Sequence, residues 1–190
     1  MFIEDGQGKG NIAAVNNDNQ LITRAASVEQ RLVSALDDNY YEATTGKVTL
    51  ADADETGIIY VKNTGTTDIV VDRVFYDIWE PSGGSVSGTL KYYINPEITG
   101  GSTITPNNTN FGSTNMLDAT ALKSLTTFSG TVMWTAQFLA PTSVALEEGR
   151  IVLRAGNSIA ITVEAPSGNV SMDVAVNVAM YNFDSTLIGS

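Results

Sequence analysis

The chain has 190 residues and a mass of 20.2 kDa, enough for one domain, or one domain plus an arm, that buries about 70% of its surface without a covalent staple. It contains no cysteine and no histidine, which excludes disulfides, thiolate metal sites, cysteine nucleophiles and the usual general base. Ten basic against 21 acidic residues leave a net charge of −11, which disfavours a phosphate-backbone partner.

Met1-Phe2-Ile3 runs directly into Glu4-Asp5 without the basic n-region and apolar stretch of a secretory signal, so synthesis in a reducing cytoplasm is expected. No apolar window approaches the length of a membrane span. Residues 3–23 carry alternating glycines (Gly6, Gly8, Gly10) and the polar run Asn16-Asn17-Asp18-Asn19-Gln20, with Ile12, Val15, Leu21 and Ile22 scattered among them. So little apolar surface does not offset the entropy of ordering, and the stretch reads as an extended arm that orders against a second surface. Ser27-Val28-Glu29-Gln30 then has the form of a capping box. Val28, Leu32 and Leu36 recur every four residues beside Ala25 and Ala35, which predicts a short amphipathic helix ending at the turn-forming Asp37-Asp38-Asn39.

From Tyr40 onwards the pattern is one of strands and turns. Residues 57–63 form a β-branched and aromatic run closed by Asn63-Thr64-Gly65-Thr66. Residues 68–79 predict a long strand with Ile69, Val71, Arg73, Phe75 and Asp77 on one face and Val70, Asp72, Val74, Tyr76 and Ile78 on the other. A third strand covers residues 90–94, and residues 99–114, rich in Gly, Ser, Thr, Asn and Pro, read as a long surface loop. Residues 132–139 form an apolar strand; residues 151–153 and 159–163 flank a hairpin-like break. Met172, Val174, Val176, Val178 and Met180 alternate with other residues at period two, the mark of a half-buried strand. The expected fold is therefore mainly β, an antiparallel β-sandwich of jelly-roll type, with the arm and short helix in residues 1–39 and the sandwich in 40–190. A closed barrel ranks second.

Candidate chemistry finds little support. Gly6-Gln7-Gly8-Lys9-Gly10 lacks the spacing and context of a dinucleotide or P-loop motif. Asp52-Ala53-Asp54-Glu55-Thr56-Gly57 begins like a calcium loop, but Asn63 stands where the bidentate glutamate belongs. Glu147-Glu148, Asp37-Asp38 and Asp72 with Asp77 are the available carboxylate clusters, and neighbours in a turn rarely face each other across a cleft. Thr120 occupies the serine position of a Ser-Lys dyad at Lys123. Trp79, Trp134, Tyr92 and Tyr93 sit in apolar strand runs and read as packing residues, whereas the Tyr40-Tyr41 pair does not. No catalytic, cofactor or metal residues are assigned, and the chain is not expected to be an enzyme.

The opening Asp5-Gly6-Gln7-Gly8-Lys9-Gly10, with Ala13, Val15 and Asn19-Gln20-Leu21, resembles the start of a group of small virion proteins of tailed bacteriophages. Residues 57–63 followed by 68–71, and residues 166–172 before the terminal strand, extend the resemblance through most of the chain. It implies a particle component, a head decoration (cement) protein with a jelly-roll-like domain, located on the outer surface of the head. The expected partners are the major capsid protein and further copies of this chain, a trimer over a dimer, with neither nucleic acid nor membrane involved. Gly6, Gly8, Gly10, Ile12, Val15, Asn19 and Leu21 are the expected interface residues of the arm. The rival reading is a tail or fibre component with a receptor- or glycan-binding sandwich.

Overall fold

The computed structural model describes residues 2–4, 12–15, 21–22, 30–50, 54–79, 85–146, 151–165 and 172–183. In chain order the elements are β1 (Phe2–Glu4), β2 (Ile12–Val15), β3 (Leu21–Ile22), α1 (Gln30–Leu36), β4 (Tyr40–Thr44), β5 (Val48–Leu50), β6 (Glu55–Asn63), β7 (Asp68–Trp79) and β8 (Val86–Thr99). They continue with β9 (Ser102–Ile104), β10 (Asn107–Asn108), β11 (Ala119–Leu125), β12 (Thr127–Ala140), β13 (Thr142–Leu146), β14 (Ile151–Leu153), β15 (Ser158–Glu164) and β16 (Met172–Phe183).

Two antiparallel sheets form a β-sandwich. One has the order β10-β4-β16-β7-β13, with β14 also on β7 and β5 also on β16; the other has the order β12-β8-β15-β6-β11-β9. The pairing is nested: β4 with β16, β6 with β15, β7 with β13 and β14, and β8 with β12. A long antiparallel hairpin folded over on itself gives this order. Met172, Val174, Val176, Val178 and Met180 all lie in the core, as their period predicts, together with Ile59, Val61, Ile161 and Val163 from the opposite sheet.

Several local expectations change. A register irregularity places Asp72 as the extra residue of β7 between the pairs Val71–Met180 and Arg73–Ala179. Strict alternation is broken there, so the core side chains are Ile69, Val71, Val74, Tyr76 and Ile78, while Phe75 and Asp77 are exposed. Residues 99–114 are not a structureless loop: β9 extends one sheet beyond β11 and β10 extends the other beyond β4. The break at residues 155–158 is a turn, with Asn157 N donating to Arg154 O at 2.9 Å, but β14 and β15 lie in different sheets and form no hairpin. Tyr40 and Tyr41, read as lying outside the core runs, are both buried. Trp134, read as a packing residue, is 40% exposed on the edge strand β12.

β1, β2 and β3 make a small antiparallel sheet of their own, with Phe2 opposite Ala14 and Val15 opposite Leu21. Ile12, Val15 and Leu21 therefore stand on strands; Gly6, Gly8, Gly10 and Asn19 lie outside the described residues, as do Ser27 and Val28 of the expected helix start. Helix α1 ends in a Schellman-type cap: Asn39 N donates to Ser34 O at 2.7 Å, and Asp38 adopts a left-handed φ of 59°.

Burial predicts how substitutions divide. Ile161→Ala, at a fully buried position, should cost about 2–5 kcal/mol of unfolding free energy. Val132→Thr on the exposed edge should stay within about 0.5 kcal/mol of the parent. Urea denaturation of both variants checks the contrast.

Candidate interaction surfaces

Asp72 and Asp77 do not converge. Asp72 is buried and accepts a hydrogen bond from the Tyr40 hydroxyl at 2.7 Å, whereas Asp77 is exposed and accepts from the Ser143 hydroxyl at 2.7 Å. Glu147 and Glu148 lie outside the described residues, as does Asp52. Among the described residues no group of three or more acidic side chains gathers as a metal site, and no helix is long and apolar enough to cross a membrane. Asn63, where a calcium loop would need its glutamate, is fully buried instead. Its Nδ2 donates to Thr67 O and Leu153 O, both at 2.8 Å, and its Oδ1 accepts from Gly65 N at 2.9 Å. One side chain thus ties the β6–β7 turn to β14, a role that no sequence motif announces.

The most connected polar group sits on the outer face of the six-stranded sheet. Lys91 Nζ donates to Glu55 Oε2 at 2.7 Å and to Glu164 Oε2 at 2.8 Å. Tyr93 and Thr162 donate to the other Glu55 oxygen, Tyr93 at 2.9 Å. Neighbouring strands hold these residues in place: Thr162 opposes Lys91, and Glu164 opposes Glu55. Burial works to raise the Glu55 pKa, but the bonds from Lys91, Thr162 and Tyr93 outweigh it and hold the carboxyl below its ordinary value. Glu164 and Glu55 together raise the Lys91 ammonium above its ordinary value. A lysine clamped between two carboxylates stays protonated, so this group fastens three strands and does not supply a base. The buried Asp173 is likewise held low: Lys47 at 2.6 Å and the Thr49 hydroxyl at 2.6 Å outweigh its burial.

Among the described residues, apolar exposure is concentrated in three places. A cleft of about 590 Å³ opens between α1 and the outer face of the seven-stranded sheet, bordered by Leu32, Tyr40 and Phe75. Leu32 and Leu36, expected to form the buried stripe of the helix, are 52% and 69% exposed; Ala35 instead packs on the Tyr40 and Tyr181 cluster. A second groove, of about 230 Å³, lies where the sandwich opens between β12 and β14, lined by Ile94, Met133, Ile151 and Val152. Beside it β12 exposes Val132, Trp134 and Leu139. The third is the turn after β10, where Phe111 is fully exposed and Met116 largely so.

No family model matches this chain, and no curated protein does. Solved structures with weak similarity to this chain include two of the infectious bursal disease virus VP2 protein. One, of T=1 particles of a D431N mutant, is 14% identical over 92% of this chain and 45% of that one, with a TM-score of 0.16. A VP2 subviral particle is 15% identical over 81% of this chain and 41% of that one, with a TM-score of 0.13. The chain spans less than half of either protein, and scores this low carry nothing over to its fold or function.

The low carboxyl pKa of Glu55 fixes a pH response. Stabilisation from Glu55 and Asp173 is fully present above the ordinary carboxylate range, near pH 4, and is lost as pH falls through their lowered folded values. Lys91→Met should cost about 1–3 kcal/mol at pH 7. That difference should shrink towards acid pH, where a protonated Glu55 no longer needs the ammonium. Thermal melts of parent and variant from pH 7 to pH 3 measure it.

Proposed function

We propose that this chain is a structural protein of a tailed-bacteriophage virion, a decoration (cement) protein that binds the outside of the head through its N-terminal segment and stabilises the shell. The single observation that supports this most is the small sheet of β1, β2 and β3. It is built on residues where the sequence resemblance to phage virion proteins begins, and the outer edges of β1 and β3 have no partner strand among the described residues. Unpaired strand edges offer main-chain donors and acceptors for strand addition to another subunit. The nested strand order of the sandwich, which we read as a jelly roll, supplies the rigid body that such a segment tethers. Ordering one segment costs free energy, and an oligomer presenting several of them recovers affinity through effective concentration.

On this reading the partners are the major capsid protein and copies of the chain itself, a trimer in preference to a dimer, and the protein acts as a clamp with no catalytic step. A net charge of −11 suits an exterior position, away from packaged DNA. The test is binding to particles that lack the protein. Removing residues 1–23, or introducing Val15→Asp with Leu21→Asp in the full chain, should lower particle binding at least tenfold while circular dichroism of the sandwich is unchanged. Binding equal to that of the parent chain would refute the proposal.

A further inference from the structure

Charge is distributed unevenly over the fold. No Asp, Glu, Lys or Arg occurs in the 20 residues 98–117 or in the 23 residues 124–146, in a chain that is 16% charged. The first run forms β9 and β10, the two edge strands on one side of the sandwich; the second forms β12 and β13, the edge strands on the other. Both edges thus lack the lysines and other charges with which exposed edge strands normally discourage association. For a chain of net charge −11, these are the surfaces where a second copy approaches with least repulsion.

The two edges also differ in shape. On one, Phe111 projects fully exposed from the turn after β10, and the preceding Asn110 is hydrogen-bonded to Asp38. On the other, four strand positions away and so about 19 Å across the sheet, lies the groove of Ile94, Met133, Ile151 and Val152, with the exposed Arg154 next to it in sequence. A two-fold axis pairs a knob with a hole reciprocally only when both lie on one shared patch, and here they stand on opposite edges of the sandwich. They can do so head to tail, with the acid beside the knob facing the base beside the hole.

We infer that copies of this chain associate head to tail, Phe111 of one copy seating in the groove formed by Ile94, Met133, Ile151 and Val152 of the next. This rests on the self-association part of the proposed function and specifies its contact: a heterologous interface that closes as a ring. The apolar surface of β12 is then covered by a neighbour, not by this chain's own core.

The absence of cysteine makes the test direct. Phe111→Cys and Val152→Cys chains, mixed under mild oxidation, should give a disulfide-linked pair on a non-reducing gel, whereas either variant alone should stay single. A chain carrying both substitutions should give a ladder that stops at the ring size. In sedimentation, the parent should run as an oligomer, and Phe111→Asp, with unchanged circular dichroism, should fall to the 20.2 kDa of one chain. A parent that sediments as one chain, an oligomer unaffected by Phe111→Asp, or cross-linking of Phe111→Cys with itself alone would each overturn the inference. All of these are read on purified protein, so their failure leaves particle binding through the N-terminal segment standing, and failure of particle binding leaves the ring standing.

Discussion

β16 runs between β4 and β7 along the middle of one sheet, and its five inward side chains close against Ile59, Val61, Ile161 and Val163 of the other. The architecture depends on this contact. With no cysteine to form a disulfide, burial of these aliphatic faces is what holds the two sheets together. It also fixes the register of the flanking strands, because a one-residue slip would turn every core residue of β16 towards solvent. The nested order follows, since β16 lies beside β4, the first strand of the sandwich, and each further pair closes inside it.

Outside that contact the molecule holds its sheet faces by other means. On the six-stranded sheet the Glu55, Lys91 and Glu164 group bridges β6, β8 and β15, and beside it Tyr60, Tyr93, Leu125 and Ala160 form a second buried cluster. On the seven-stranded sheet the extra residue at Asp72 aims a carboxylate at the Tyr40 hydroxyl, while Val70, Ala179 and Tyr181 pack beneath Ala35 of the helix. These outer-face devices stop short of the sandwich edges. Among the described residues the remaining apolar exposure falls at two margins, the β12 side and the Phe111 turn, and in the cleft under the helix.

Much of the sandwich was legible in the sequence, because alternation reports burial wherever a strand is flanked on both sides. Residues 172–180 are the clearest instance. Sequence pattern says nothing about a strand's place in its sheet, and so Trp134 reads as a packing residue although β12 is an edge. The apolar character is real, but β12 ends its sheet and most of its residues are exposed there. Bulges are equally silent: nothing around Asp72 announces the extra residue that reverses the facing of β7. The helix stripe of Leu32 and Leu36 has the right period, yet it is Ala35 that packs on the sheet while the two leucines stay exposed. The Gly- and Asn-rich stretch at 99–114 was read as loop because its two strands are too short to show a period. Among the arm residues singled out, Ile12, Val15 and Leu21 fall on strands, and the glycines and Asn19 lie outside the described residues.

The central claim is that this chain covers the outside of a phage head, and stoichiometry tests it most directly. Quantitative mass spectrometry of purified particles should find it at parity with the major capsid protein or at a simple symmetry fraction of it. A few copies per particle would place it in a tail or fibre and contradict the decoration reading; complete absence from particles would contradict the virion role altogether.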